Sequence, residues 1–249
     1  MSRIAGGELE APPAVAGRSV ARSAGWRLLE AVGAEGVALL VFVFMARLLT
    51  PDAFGLVALA GVAVMGGQVL LNQGLGEAVI QSESLSEERL ATAFWSSLGL
   101  GLLLWLGVAT LAGPAARGFN EPELAPVLVA LGAVLPLTGV AAILQAHLAR
   151  QMAFKAIALR SLVATTTGGV VGLALALEGF GVWALVGLQL SGTTAGLVVL
   201  LLAEPARVVP RFALAEARSL WRFALPVMAT HVTKFYGKKL DVAFLGLFV

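Results

Sequence analysis

Apolar stretches succeed one another from Trp26 to Val249 with little between them. The intervals 53–76, 90–116, 124–149, 161–177 and 179–203 carry no Asp, Glu, Lys or Arg, and two further stretches, around 27–49 and from 223 onward, are broken only by isolated charges. A run of about 18 or more apolar residues crosses a hydrocarbon core of roughly 30 Å as a helix, and these intervals meet or approach that length. The stretch from Leu98 to Leu111 is apolar all round, whereas a helix of a soluble protein keeps a polar face. The pattern predicts an all-α, polytopic bundle of seven transmembrane helices.

Composition agrees. The chain is 59% hydrophobic and 13% charged, against roughly 25% charged in an ordinary soluble domain. Residues 1–24 hold Ala, Gly, Pro and scattered charge, with no apolar core of a cleavable signal, and read as a disordered cytoplasmic tail. Cysteine is absent and the two histidines have no carboxylate cluster beside them, so neither a metal nor another cofactor is expected.

Basic residues in short loops stay on the cytoplasmic side. Arg3, Arg18, Arg22, Arg27, Arg89, Arg150, Lys155, Arg160, Arg207, Arg211, Arg218 and Arg222 fall on one side of the alternating spans, twelve in all, against Arg47 and Arg117 on the other. This predicts a cytoplasmic N-terminus. The net charge of +2 then reflects orientation and contact with anionic membrane lipids rather than nucleic-acid binding. Trp26, Trp95, Trp183 and Trp221 lie near span ends, where indoles favour the interface. In the segment 204–222, Phe212, Leu214, Leu220 and Trp221 stand among arginines and predict an interfacial helix on the inner leaflet.

Within the spans, Gly168 with Gly172 and Gly192 with Gly196 would let the fifth and sixth helices approach closely. The run from Asn72 to Glu77 has two glycines and three polar side chains, and predicts an unwound or polar-lined turn. Pro136 predicts a kink in the fourth span. Charges in the last segment form a pattern. At about 100° per residue, His231, Lys234, Lys238 and Asp241 share an arc of roughly 80° over about 15 Å of axis, a cationic stripe suited to a diphosphate or another polyanion, with Asp241 holding Lys238 when the site is empty. The lysines would otherwise be the positive flank of a shorter span. Glu35, deep in the first span, is a candidate partner for a stripe lysine or a titrating group of a proton-coupled cycle. Gln68 and Asn72, four residues apart, would line the same or a neighbouring cavity.

Several stretches resemble a known family. From Ala46 to Ala60 the chain reads AlaArgLeuLeuThrProAspAlaPheGlyLeuValAlaLeuAla. GlyLeuGlyGluAlaValIleGln follows at 74–81, ThrAlaPheTrp at 92–95, GluProGluLeuAlaPro at 121–126 and GlyPheGlyValTrpAlaLeuVal at 179–186. In this order they resemble bacterial polysaccharide exporters of the Wzx-type flippase family, in the multidrug, oligosaccharidyl-lipid and polysaccharide exporter superfamily. The resemblance implies two six-helix lobes around a central cavity. Residues 25–203 would be the N-lobe, 204–222 the link and 223–249 the first helix of the second lobe. The stretch from Asp241 to Gly246 is similar to the family's pattern there, whereas His231, Lys234 and Lys238 match no family motif. Because the family has roughly twice as many helices, the chain is expected to be a fragment, or one part of a two-chain assembly.

The implied function is a flippase of the bacterial inner membrane that passes an undecaprenyl-diphosphate-linked oligosaccharide by alternating access, beside other polysaccharide assembly proteins and with no covalent chemistry. A cation-coupled drug exporter of the same superfamily and a non-transporting fragment are the alternatives. A membrane polymerase or ligase would need acid, base or anion-binding groups gathered on an outer loop. The predicted outer loops hold only Arg47, Asp52, Arg117, Glu121, Glu123 and Glu178.

Overall fold

The computed structural model describes residues 33–82, 86–204 and 212–248, with side chains described through Lys234 except Val232; the predicted tail at 1–24 lies outside them. Helix α1 covers 33–48. It is followed by α2 (Pro51–Gln73), α3 (Leu75–Gln81), α4 (Glu87–Phe119), α5 (Leu124–Gly132), α6 (Val134–Arg150), α7 (Phe154–Leu177), α8 (Val182–Ala203) and α9 (Leu214–Phe248). Five spans among the described residues are long and apolar enough to cross a membrane: Pro51–Gln81, Glu87–Phe119, Leu124–Arg150, Phe154–Leu177 and Val182–Ala203. The chain is a multi-pass membrane protein. No strand occurs among the described residues.

The helix ends have local causes. Pro51 opens α2, where its missing N–H is no loss. Ser86 caps α4 by accepting the Arg89 amide at 3.1 Å, and Asn120 ends that helix in the left-handed region. The α7–α8 turn uses Gly179 and Gly181 at φ +80° and +55°, a conformation that costs glycine little.

Two spans are broken, each near the position that the sequence marks. The first break is at Gly74, between α2 and α3, inside the polar run. Its amide still bonds the Leu70 carbonyl at 3.2 Å and its carbonyl accepts the Ala78 amide at 3.3 Å, so the chain bends without unwinding. The second break, at Ala133, lies three residues before Pro136. A proline ring clashes with the carbonyl four residues earlier and cannot donate to it, which puts the defect at Gly132. The Ala133 amide turns to the Ala130 carbonyl at 3.2 Å, leaving the Val129 carbonyl without its usual donor. The Trp105 indole N–H supplies one at 2.9 Å.

Apolar burial drives helices together only weakly in lipid, so small residues and close backbones hold such bundles. The α7–α8 pair is the most extensively packed. A Cβ on Gly168 would lie 2.7 Å from the Leu188 carbonyl oxygen, and one on Gly192 2.8 Å from that of Ala164. These glycines perform the close approach expected of them. A second seam joins α4 to the broken span. A Cβ on Gly101 would lie 2.6 Å from Pro136 Cα, one on Gly132 2.8 Å from Trp105 Cδ1, and one on Gly139 2.6 Å from the Ser97 carbonyl oxygen. The buried Ser97 hydroxyl donates to the Gly139 carbonyl at 2.8 Å. The α5–α6 span is the centre of the bundle, with 67% of its apolar window buried against 11–28% in the other four.

Apolar packing forms two clusters. One joins Met45, Val64, Leu71, Leu131 and Val186. The other joins Leu75, Val79, Phe94, Ile143, Leu200, Leu220 and Met228, and it brings α9 into the bundle. Residues 205–211 lie outside the described ones. Of the segment expected to lie on the inner leaflet, 214–222 form the opening turns of α9, with Leu220 fully buried and Leu214 exposed.

A polar cavity at the basic end of the bundle

The ends of α2, α6 and α8 meet the starts of α4, α7 and α9 at one end of the bundle. A cavity of about 780 Å³ opens there. Helix α2 contributes Gln68, Asn72 and Gln73, α3 contributes Glu77, α6 contributes Thr138 and Gln145, α7 contributes Arg160 and α8 contributes Thr193. Gln68 and Asn72 lie one turn apart, as do Ala142 and Gln145 on α6, so each helix presents one stripe. Ala142, Ala146, Ala149 and Gly76 complete the wall, and their small size leaves the room. Amides, hydroxyls and one guanidinium give the cavity donors and acceptors in a bundle otherwise made of apolar surface.

Polar contacts tie this end of the bundle together. Glu77 Oε1 lies 3.6 Å from His231 Nε2 on α9. Arg150 ends α3: its guanidinium donates to the carbonyls of Val79 at 3.0 Å and Ile80 at 3.2 Å, and to that of Ser82. A cation at a helix C-terminus satisfies orphan carbonyls and opposes their dipole. Arg89 pairs with Glu216 at 3.3 Å. The Thr92 hydroxyl accepts the Ala213 amide at 3.1 Å, which docks the start of α9 on α4. The buried His147 lies 2.7 Å from the Gln151 amide and 3.9 Å from Glu204.

The opposite end is acidic. Asp52, Glu121 and Glu123 line a second cavity of about 790 Å³ with Thr50 and Gly181. No group of three or more His, Asp or Glu side chains able to hold a metal ion comes together among the described residues.

The predicted site residues separate into groups. Gln68 and Asn72 line the polar cavity, and His231 reaches its rim through Glu77. Lys234 sits exposed on α9 in a shallow depression with Thr230 and Thr233. Lys238 and Asp241 belong to the α9 helix, and their side chains lie outside the described residues. Glu35 is exposed on α1 and is not among the described residues lining the cavity.

Arg160 is a cavity residue that the charge pattern does not single out. Counted above with a cytoplasmic loop, it stands in the second turn of α7, which begins at Phe154 rather than at 161. Phe154 and Ile157 line the cavity with it, and their spacing of three was the available signal. Glu77, Gln145, Thr138 and Thr193 were also missed as lining residues.

Comparison with known proteins follows the same direction. The family model described as polysaccharide biosynthesis protein matches residues 44–249. The succinoglycan biosynthesis transport protein ExoT of Rhizobium meliloti (strain 1021) is 29% identical over 232 residues, which covers 90% of this chain and 45% of that protein. The lipopolysaccharide biosynthesis protein WzxC of Escherichia coli (strain K12) is 27% identical over 106 residues, covering 43% of this chain and 22% of that protein. The chain thus spans less than half the length of either relative. No solved structure matches it.

Proposed function

Since the chain belongs to the polysaccharide biosynthesis protein family, we propose that it forms the N-terminal lobe, 25–203, the link, 204–222, and the first helix of the second lobe, 223–249, of a lipid-linked oligosaccharide exporter. In this reading it lies in the bacterial inner membrane with a cytoplasmic N-terminus. It passes a glycan on an undecaprenyl-diphosphate-type carrier by alternating access and catalyses no covalent step. The carrying observation is the polar cavity. Gln68, Asn72, Gln145 and Thr193 offer the paired donors and acceptors that sugar hydroxyls need, while a polyprenyl tail stays in lipid. Lys234, Lys238, His231 and Asp241 would supply the cationic stripe on α9, with Glu35 as a charge partner. The two relatives, a succinoglycan biosynthesis transport protein and a lipopolysaccharide biosynthesis protein, support the class.

The test is complementation of a strain that has lost its own exporter, using the complete protein. Gln68→Leu with Asn72→Leu, and separately Lys234→Ala with Lys238→Ala, are expected to abolish surface polysaccharide without loss of membrane protein. Normal polymer from the first pair overturns the cavity's role, and from the second that of the stripe. The Glu77–His231 pair favours one further reading, a cation-coupled exporter of small amphiphiles. Cation-stimulated dye efflux, with no effect on polysaccharide, would select it.

A further inference from the structure

Two cavities meet at Arg160. Beside the polar one, a groove of about 450 Å³ runs between α1, the start of α2, α7 and α8. Its walls are largely apolar, with Val41, Phe42, Phe54 and Leu188 among them, and its floor is formed by glycines of the α7–α8 seam. Arg160 is the one charged residue among the described residues lining this groove. It and Thr193 line both cavities. The side chain is held in place along α8. A Cβ on Gly196 would lie 3.4 Å from Arg160 Cγ and 3.5 Å from its Nε, so the glycine leaves space for the arginine stem. By helix rise, Arg160 stands about 9 Å along the axis from the start of α7.

Arginine keeps its charge in any protein environment, and its planar fork matches a phosphate bidentately. A fixed cation with an apolar groove on one side and a polar cavity on the other has the order of parts found in one kind of molecule, an amphiphile whose phosphate joins chain to head. We propose that Arg160 binds the phosphate of a polyprenyl-phosphate-linked sugar, with the chain segment next to the phosphate in the groove and the sugar in the polar cavity. This rests on the exporter reading and names the junction of its site. Glu77, the other charged residue described in the polar cavity, faces His231 on the α9 side.

The test uses the full chain in phosphatidylcholine nanodiscs, with three probes: a short polyprenyl phosphate, the uncharged polyprenol of equal length, and inorganic diphosphate. Arg160→Gln should weaken polyprenyl phosphate about tenfold or more, as expected for loss of a charge-assisted pair, and leave polyprenol unchanged. Arg160→Lys should fall between. Ala38→Trp, which fills the groove away from the arginine, should weaken both prenyl ligands. The chain has no cysteine, so Thr193→Cys adds one label at the junction, and polyprenyl phosphate should slow its maleimide reaction. That readout stands even where Arg160→Gln fails to fold. Binding by Arg160→Gln within twofold of wild type, no protection at position 193, or inorganic diphosphate binding as tightly as polyprenyl phosphate overturns the proposal. A protein that supports export but binds no polyprenyl phosphate loses this site and keeps the exporter reading. One that binds it without supporting export does the reverse.

Discussion

Replacing Trp105 by Phe isolates one hydrogen bond in the centre of the bundle. The indole donates to Val129 at 2.9 Å, a carbonyl whose usual partner, the Ala133 amide, has turned to Ala130. Hydrogen bonds between membrane helices average about 0.6 kcal/mol and reach about 1.7, whereas orphaning a buried carbonyl costs about 1–3 kcal/mol. Val129 is half-buried and faces protein, so a loss of about 1–2 kcal/mol is expected, with a smaller packing loss beside Gly132. The packing part is the same in any background, and a double-mutant cycle removes it. Pro136→Ala gives the helix its missing N–H and relieves the clash with Gly132, so the Ala133 amide can return to Val129. Gly101 meets Pro136 at Cα, which alanine keeps. Trp105→Phe should therefore cost about 1 kcal/mol less in the Pro136→Ala background than alone, measured by reversible unfolding in mixed detergent micelles. Equal costs in the two backgrounds would refute the idea that the proline and the indole form one device.

Gly74→Ala should destabilise by about 1 kcal/mol or more in the same assay, because its Cβ would meet the Met228 side chain, with Cγ 2.7 Å away, and the Leu70 carbonyl oxygen at 2.9 Å; adding Met228→Ala should recover only the part due to the side chain. Gly192→Ala should cost more than Gly196→Ala, by about 1–2 kcal/mol. The first meets the Ala164 carbonyl oxygen at 2.8 Å, which cannot rotate away, and the second meets Ala164 Cβ and the flexible Arg160 stem at 3.2 Å and 3.4 Å. Arg150→Ala should lower protection at the end of α3, raising amide exchange at Ser82 and its neighbours while the centre of α6 keeps its protection.

Most of the architecture could be read from runs of uncharged residues, because lipid permits few alternatives to a helix. The breaks were legible as well: Pro136 and the Asn72–Glu77 run each carry a local chemical reason for one. Reading charges as loop markers grouped the basic residues at one end but gave no sign that Arg160 lines a cavity. The chain turns earlier, at Gln151 to Ala153, with Met152 at φ +57°, and a side chain taken for a loop residue became part of a cavity wall. Trp105 escaped notice for a related reason. Its partner is a carbonyl freed by a defect in another helix, and no pattern within its own helix records that. Gln145 stands two residues from His147 and Thr193 between Ser191 and Thr194, and only the packing of α6 against α8 picks out the pair.

The anchoring of α9 also has a mechanical meaning. Among the described side chains, the Ala213–Thr92 bond just ahead of the helix, and Glu216 on Arg89, Met228 beside Gly74 and His231 on Glu77 within its first 18 residues, attach a helix of 35 residues. About 26 Å of helix lies between 231 and 248. A reorientation of about 10° about His231 would carry the far end of the helix axis through about 4–5 Å, a displacement the size of a side chain.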